Sequence, residues 1–204
     1  MPSQEPIIHL AASQAGQASG VLARAFHDDP ASRYLWPDAA GRARLLPWIF
    51  STGIRYGLLY GQIYGTRNLD GVAVWVAPGH APMTLGRMYR AGMLAAPFKM
   101  GIAAVVRYLN FSGYVEALHK RSAPGRHWYL YLLVVEPARQ GRGIGGRLIQ
   151  PALAAADGEK LPCYLETMNG RNVPFYIKHG FSVVAEGQMP RGGPYVWGLL
   201  REPR

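Results

Sequence analysis

The chain has 204 residues, 49% of them hydrophobic and 17% charged, with a formal net charge of +10. That balance excludes a disordered chain and suits one folded domain with a substantial core. The lone cysteine, Cys163, excludes an intrachain disulfide, and the basic residues are scattered, so charge alone is no sign of nucleic acid binding.

The first 14 residues lack a basic segment followed by an apolar core. No signal peptide is expected, and a cytoplasmic setting is the reading. Residues 91–106 are the nearest thing to a membrane segment, but Pro97 and Lys99 interrupt them and they fall short of a membrane span. Buried helices are the better reading, and no membrane association is expected.

In chain order, residues 19–27 have helical periodicity, with Val21, Leu22, Ala25 and Phe26 on one side. Asp28-Asp29-Pro30 stops that helix, and residues 34–37 read as an aromatic loop. Asp38 can cap a second helix over about 40–56, which Pro47 should kink or break. Residues 63–66 and 71–76 read as a hairpin, with turn residues at 68–71. A helical region follows over 83–119, broken at Pro97. Trp128 to Val135 is a strand, then come a glycine loop, a helix to about residue 156, and a strand at 164–167. A short helix at 173–179 and closing strands at 181–184 and 195–200 complete the series. The expected architecture is one α+β domain over 1–204: a mixed, mostly antiparallel sheet flanked by helices, with a helical insertion before the central strand.

The glycine loop carries the chemistry. Gly141, Gly143, Gly145 and Gly146 fall within seven residues of Gln140, between a buried strand and a helix. Such a turn lets the backbone approach a ligand closely and aims free N–H groups at an anion. A dinucleotide fingerprint fits poorly, because residues 136–140 separate the loop from its strand and only 38 residues follow Glu166. A nucleoside-triphosphate loop also fails, since Arg147-Leu148 stands where Lys-Ser or Lys-Thr is required.

Gln140-x-x-Gly143-x-Gly145, after a strand ending V-x-P, resembles the pyrophosphate motif of the GNAT superfamily of N-acetyltransferases. The resemblance continues through Asn172, Tyr176 and Gly180-Phe181. It is closest to the branch of puromycin N-acetyltransferase through residues 161–181, Pro194, Trp197 and 200–203. Agreement is dense from about 128 onward and thin before residue 76.

The resemblance implies a GNAT fold and acetyl-CoA as cosubstrate. The cofactor would lie on Leu133, Val134 and Val135, on the loop residues Gln140, Gly141, Arg142, Gly143, Ile144, Gly145 and Gly146, and on Asn172. Tyr176 would protonate the departing thiolate, and a backbone N–H near Val135 would polarise the thioester carbonyl. Glu166, ending an otherwise apolar strand, is the expected general base, directly or through water; Glu136 competes for that role but reads better as a solvated strand-end charge. Asp29, Tyr34 and Trp36 are candidate walls for a cationic amine. The histidines are dispersed without ligand spacing, so no metal site is expected. The function implied is direct acetyl transfer to a small, antibiotic-like primary amine. A CoA-binding module without catalysis and a protein or peptide acetyltransferase are the alternatives, and a homodimer is left open.

Overall fold

The computed structural model describes residues 5–204. Seven strands form one sheet: β1 (Ile7–His9), β2 (Gly61–Thr66), β3 (Gly71–Val76), β4 (Trp128–Val135), β5 (Cys163–Thr167), β6 (Ser182–Gln188) and β7 (Tyr195–Arg201). Their order is β1-β2-β3-β4-β5-β7-β6, antiparallel at every junction except the parallel one between β4 and β5. The helices are α1 (Ala15–Ala25), α2 (Pro30–Leu35), α3 (Ala39–Tyr60), α4 (Leu85–Arg90), α5 (Ala96–Met100), α6 (Ile102–Ser122), α7 (Ile144–Glu159) and α8 (Val173–Lys178).

Strand alternation divides the core between the two faces. Ala73, Trp75, Leu130 and Leu165 meet Leu148 and Ile149 of α7, together with Tyr176 and Phe181. Val72 and Val74 face the other way, onto Val21 and Leu22 of α1 and Leu46 and Ile54 of α3. A third, tyrosine-rich cluster joins Tyr56, Tyr129 and Tyr164 on that second side. β3 is buried along its whole length, as its unbroken apolar run requires.

Two features set β4 apart from its neighbours. Val74 pairs with Leu132 but Trp75 with Leu130, so Tyr131 is an extra residue, a bulge that bends the strand. On its other edge β4 meets β5 only at Trp128↔Cys163 and Tyr129↔Tyr164. Beyond those pairs the two parallel strands part.

The mixed sheet and a helical insertion are as expected, but the insertion is not the buried pair of helices that its apolar composition suggested, since Leu94, Phe98, Ile102 and Val106 are exposed, and several boundaries differ. α1 begins at Ala15 rather than 19 and ends at Ala25. Asp29-Pro30 ends one helix and also starts another: the Asp29 carboxylate accepts Ala31 N–H at 2.9 Å, and Pro30 occupies the first turn of α2. Residues 34 and 35, expected in a loop, are therefore helical. Pro47 does not break α3. Pro47 and Ala43 are both exposed, so the carbonyl that loses its donor can be solvated. In the insertion Pro97 sits in the first turn of α5, and the breaks fall at Gly92 and Gly101 instead. β1 was not expected; its three residues gain their structure from pairing with β2.

Candidate active site

The glycine turn follows from the end of β4. Pro137 ends the strand pairing, and the Gln140 side chain donates to the Val135 carbonyl at 3.1 Å, tying the loop to the strand. Gln140 is thus committed to the protein. Gly141 and Gly143 both have φ of +75°, a left-handed conformation that a side chain would strain. Gly143 then caps α7 through its carbonyl, which accepts Arg147 N–H at 3.2 Å. None of the N–H groups of Gly141 to Gly146 has a backbone acceptor outside the helix among the described residues. They form a cluster of donors at the positive end of a 16-residue helix. Arg142 is exposed beside them, whereas Arg147 donates to the Glu5 carbonyl at 2.6 Å and holds the N-terminal segment.

Gly145 and Gly146 serve packing. A Cβ on Gly146 would lie 2.8 Å from His179 Nε2, and one on Gly145 3.4 Å from Phe175. The turn therefore lets α8 approach closely, and α8 carries Tyr176.

Leu133, Val134 and Val135 pair with Ala73, Val72 and Gly71 on one edge. Their other edge faces the gap where β5 has diverged. The end of β4 and α8 both lie against the donor turn, since a Cβ on Gly145 would meet Phe175 at 3.4 Å and Val135 at 3.6 Å. A chain bearing amides and a pyrophosphate fits this arrangement, because the open strand edge can pair with amides and the turn with phosphate oxygens. Acetyl-CoA has that chemistry.

Tyr176 is buried against Phe175 and Phe181. Burial first, and the Asp29 charge second, push its phenol well above the ordinary tyrosine range. It is therefore a neutral donor at physiological pH. Asp29, mostly buried, is itself pushed up by burial against the pull of the Ala31 and Ser32 N–H groups. Asn172 is exposed and heads α8 without a side-chain cap bond; Asn169 caps the 3-10 turn Gly170–Asn172 that leads into α8, accepting Arg171 N–H.

Glu166 lies two residues past the last β4–β5 pair. Its side chain is 3% exposed, and His119 Nδ1 of α6 stands 3.1 Å from Oε1. Tyr129 and Tyr164 face it as well, and both phenols are raised by burial first and by the Glu166 charge second. Glu136, by contrast, pairs with Arg24 at 2.8 Å at the strand end, which commits it to a structural contact.

Of the aromatic residues expected to line the acceptor site, Tyr34 is half-buried, while Trp36 is packed in the core beside Leu35 and Phe50. The organiser of this region is Arg42, which sequence reasoning missed. Its buried guanidinium donates to the carbonyls of His27, Trp36 and Pro37 and to Asp28 at 2.8–3.3 Å. His119 and His127 were missed too, since nothing local marks them. Among the described residues no group of three His, Cys, Asp or Glu side chains could hold a metal ion, and no helix is long and apolar enough to cross a membrane.

The chain is similar to known acetyltransferases in sequence and in fold. Residues 101–183 match the acetyltransferase (GNAT) domain family. An uncharacterized N-acetyltransferase of Schizosaccharomyces pombe is 26% identical over 173 residues, covering 81% of this chain and 69% of that protein. A Corynebacterium glutamicum structure described as histone acetyltransferase HPA2 and related acetyltransferase superposes with a TM-score of 0.72, at 21% identity and over 98% of both chains. Arylalkylamine N-acetyltransferase 2 from Aedes aegypti superposes with a TM-score of 0.64, at 13% identity, over 99% of this chain and 100% of that one. Residues 101–183 thus match a GNAT acetyltransferase domain within a chain of GNAT fold, and the enzyme is an acyltransferase of the N-acetyltransferase type.

Proposed function

We propose that the protein transfers the acetyl group of acetyl-CoA directly to the primary amine of a small molecule. The observation that carries this reading is the open edge of β4 running into the uncommitted donors of Gly141 to Gly146, with Tyr176 beside it. Acetyl-CoA supplies the activated thioester. Gly141, Arg142, Gly143, Ile144, Gly145 and Gly146 hold its pyrophosphate, and the β4 edge at Leu133 to Val135 its amide arm. Asn172, with no cap bond of its own, adds a polar contact. Tyr176 gives its proton to the departing sulfur, a role for which a phenol kept neutral by burial is suited. Glu166 supports removal of the amine's proton.

The acceptor is small and cationic in this reading. Asp29 sits close enough to Tyr176 for its charge to be felt there, and Tyr34 lies on the same short helix. The arylalkylamine enzyme among the structural neighbours supports an amine with an aromatic part. The C-terminal resemblance to the puromycin N-acetyltransferase branch favours an antibiotic-like member of that class.

The test is thiol release from acetyl-CoA across a panel of arylalkylamines, polyamines and aminonucleosides including puromycin. Amine-dependent release with at least one of them is expected. CoA binding without turnover on any amine, peptides included, would overturn the reading. With an active amine in hand, Tyr176→Phe should lower kcat by about 10²-fold while CoA affinity stays within about twofold.

A further inference from the structure

Glu166, the buried acid at the mouth of the β4–β5 gap, does not stand alone. His119 closes α6 and His127 precedes β4, and the turn between them brings both rings to the same place. His119 Nε2 is 2.7 Å from His127 Nε2, and His127 Nδ1 is 2.7 Å from the Gly125 carbonyl. His119 is also boxed by Tyr129 and Tyr164, with ring centroids 4.6 and 4.4 Å away. Its orientation is therefore set by packing as well as by polar contacts.

The partners determine where the protons are. A carbonyl oxygen only accepts, so His127 carries its proton on Nδ1. Burial, with the nearby His119, depresses the His127 pKa, so the ring is neutral and its Nε2 is a lone pair. His119 must then donate from its own Nε2. Its Nδ1 is left facing Glu166 Oε1 at 3.1 Å. An ionised Glu166 opposite a neutral His119 would set two lone pairs against each other in a buried site. One proton between them removes that conflict, whether it rides on the carboxyl or on the imidazole. The two carboxylate oxygens have no hydrogen bond of good geometry among the described residues, so the pair has reason to take up that proton. His119 uses its two nitrogens toward two different partners, which also argues against a shared metal ion.

We propose that Glu166 and His119 form a dyad holding one shared proton, with its tautomer locked by His127 and the Gly125 carbonyl, and that this dyad takes the acceptor amine's proton during acetyl transfer. This rests on the acetyltransferase reading above. The Glu166 oxygens are fully buried, so the amine's proton reaches the dyad across a bridging water; Glu166, His119 and His127 are positioning residues. The balance is one proton per turnover. The dyad is active once it has released its shared proton to solvent: the ammonium of the acceptor then loses one proton to it, the neutral amine forms its bond to the acetyl carbon as the carbon–sulfur bond breaks, and the second nitrogen proton replaces the one that Tyr176 gives to the departing sulfur. The dyad then returns that proton to solvent at the edge of His119, whose side chain is 12% exposed. The other groups facing the dyad are the Tyr129 and Tyr164 phenols, and Tyr164 in turn feels the Ser122 hydroxyl and the Arg121 charge.

The dyad is read by nitrogen-15 NMR of the histidine side chains in the full chain, titrated with and without Glu166→Gln. His127 should appear as the Nδ1–H tautomer, and the His119 titration should move by at least one pH unit in Glu166→Gln, because coupled groups titrate as a pair. In kinetics His119→Gln should lower kcat at least tenfold and displace the rising limb of the pH–rate profile, with CoA affinity unchanged as the control for folding. An unmoved His119 titration in Glu166→Gln, or an intact rising limb in His119→Gln, would overturn the proposal. A protein that acetylates no amine yet shows the coupled titration would defeat the acceptor reading and support the shared proton. A protein that acetylates amines without the coupling would do the reverse.

Discussion

Arg42 shows how much one side chain can organise. Its four donor contacts tie together the segment after α1, the turn after α2 and the start of α3. Removing it leaves three carbonyls short of a donor and opens a cavity. Arg42→Ala should cost about 3 kcal/mol, seen as a lower midpoint in urea, and should raise the acceptor KM more than the CoA Kd. Arg42→Lys should recover only part of this, because an ammonium cannot fork to separate carbonyls as a guanidinium does. At this scale the site was partly legible. Tyr176 stands in the motif that carries the resemblance and Glu166 ends an otherwise apolar strand, so both were candidates on the chain alone. His119 and His127 could not, because eight residues of sequence say nothing about two rings meeting across a reversing turn. Arg42 reads as an ordinary helix-start charge until its carbonyl partners are folded around it.

Among the elements, the turn from β4 to α7 was the most readable and is the most constrained. Four glycines have two different jobs there: Gly141 and Gly143 supply the left-handed backbone, while Gly145 and Gly146 make room for α8. Gly143→Ala separates the jobs, since a Cβ there meets nothing within 4 Å and only the φ of +75° is strained. It should cost about 1 kcal/mol of stability and weaken CoA binding by about tenfold, measured by calorimetry, because the donors would be re-aimed. A variant with unchanged CoA affinity would show that the turn's conformation is immaterial to the ligand. The misread elements share a physical cause. β1 and α2 have three and six residues, too few for periodicity to show, and each is stabilised by what adjoins it: the β2 edge for one and the Asp29 cap for the other. Pro47 misleads because the cost of a helical proline depends on whether the orphaned carbonyl reaches water, which the chain alone does not record.

For the molecule as a whole, the C-terminal end is fastened by charge. Arg201 of β7 grips Asp157 of α7 through two hydrogen bonds of 2.8 Å, and Arg204 N–H adds a third at 2.9 Å. Those bonds hold the Asp157 carboxyl down to about 2. A carboxyl depressed on folding binds protons less tightly than in the unfolded chain, so its contribution is complete above about pH 4 and fades as the pH falls toward 2. Asp157→Asn should therefore lower the melting temperature at pH 7, by the equivalent of about 1–3 kcal/mol, and approach the parent's value near pH 2. A difference independent of pH would assign the effect to packing. The parting of β4 from β5 has a consequence for cooperativity. Strands β1 to β4 and strands β5 to β7 are stitched by two residue pairs, so the sheet is two ribbons sharing a short seam. Direct fastening across that seam comes from helices, α6 reaching over to β6 and β7 and α7 held by Arg201. A ligand lodged in the gap lends its own amides as a missing strand. On the proposed reading, loading acetyl-CoA would then also be a folding event, in which two loosely coupled halves become one cooperative unit.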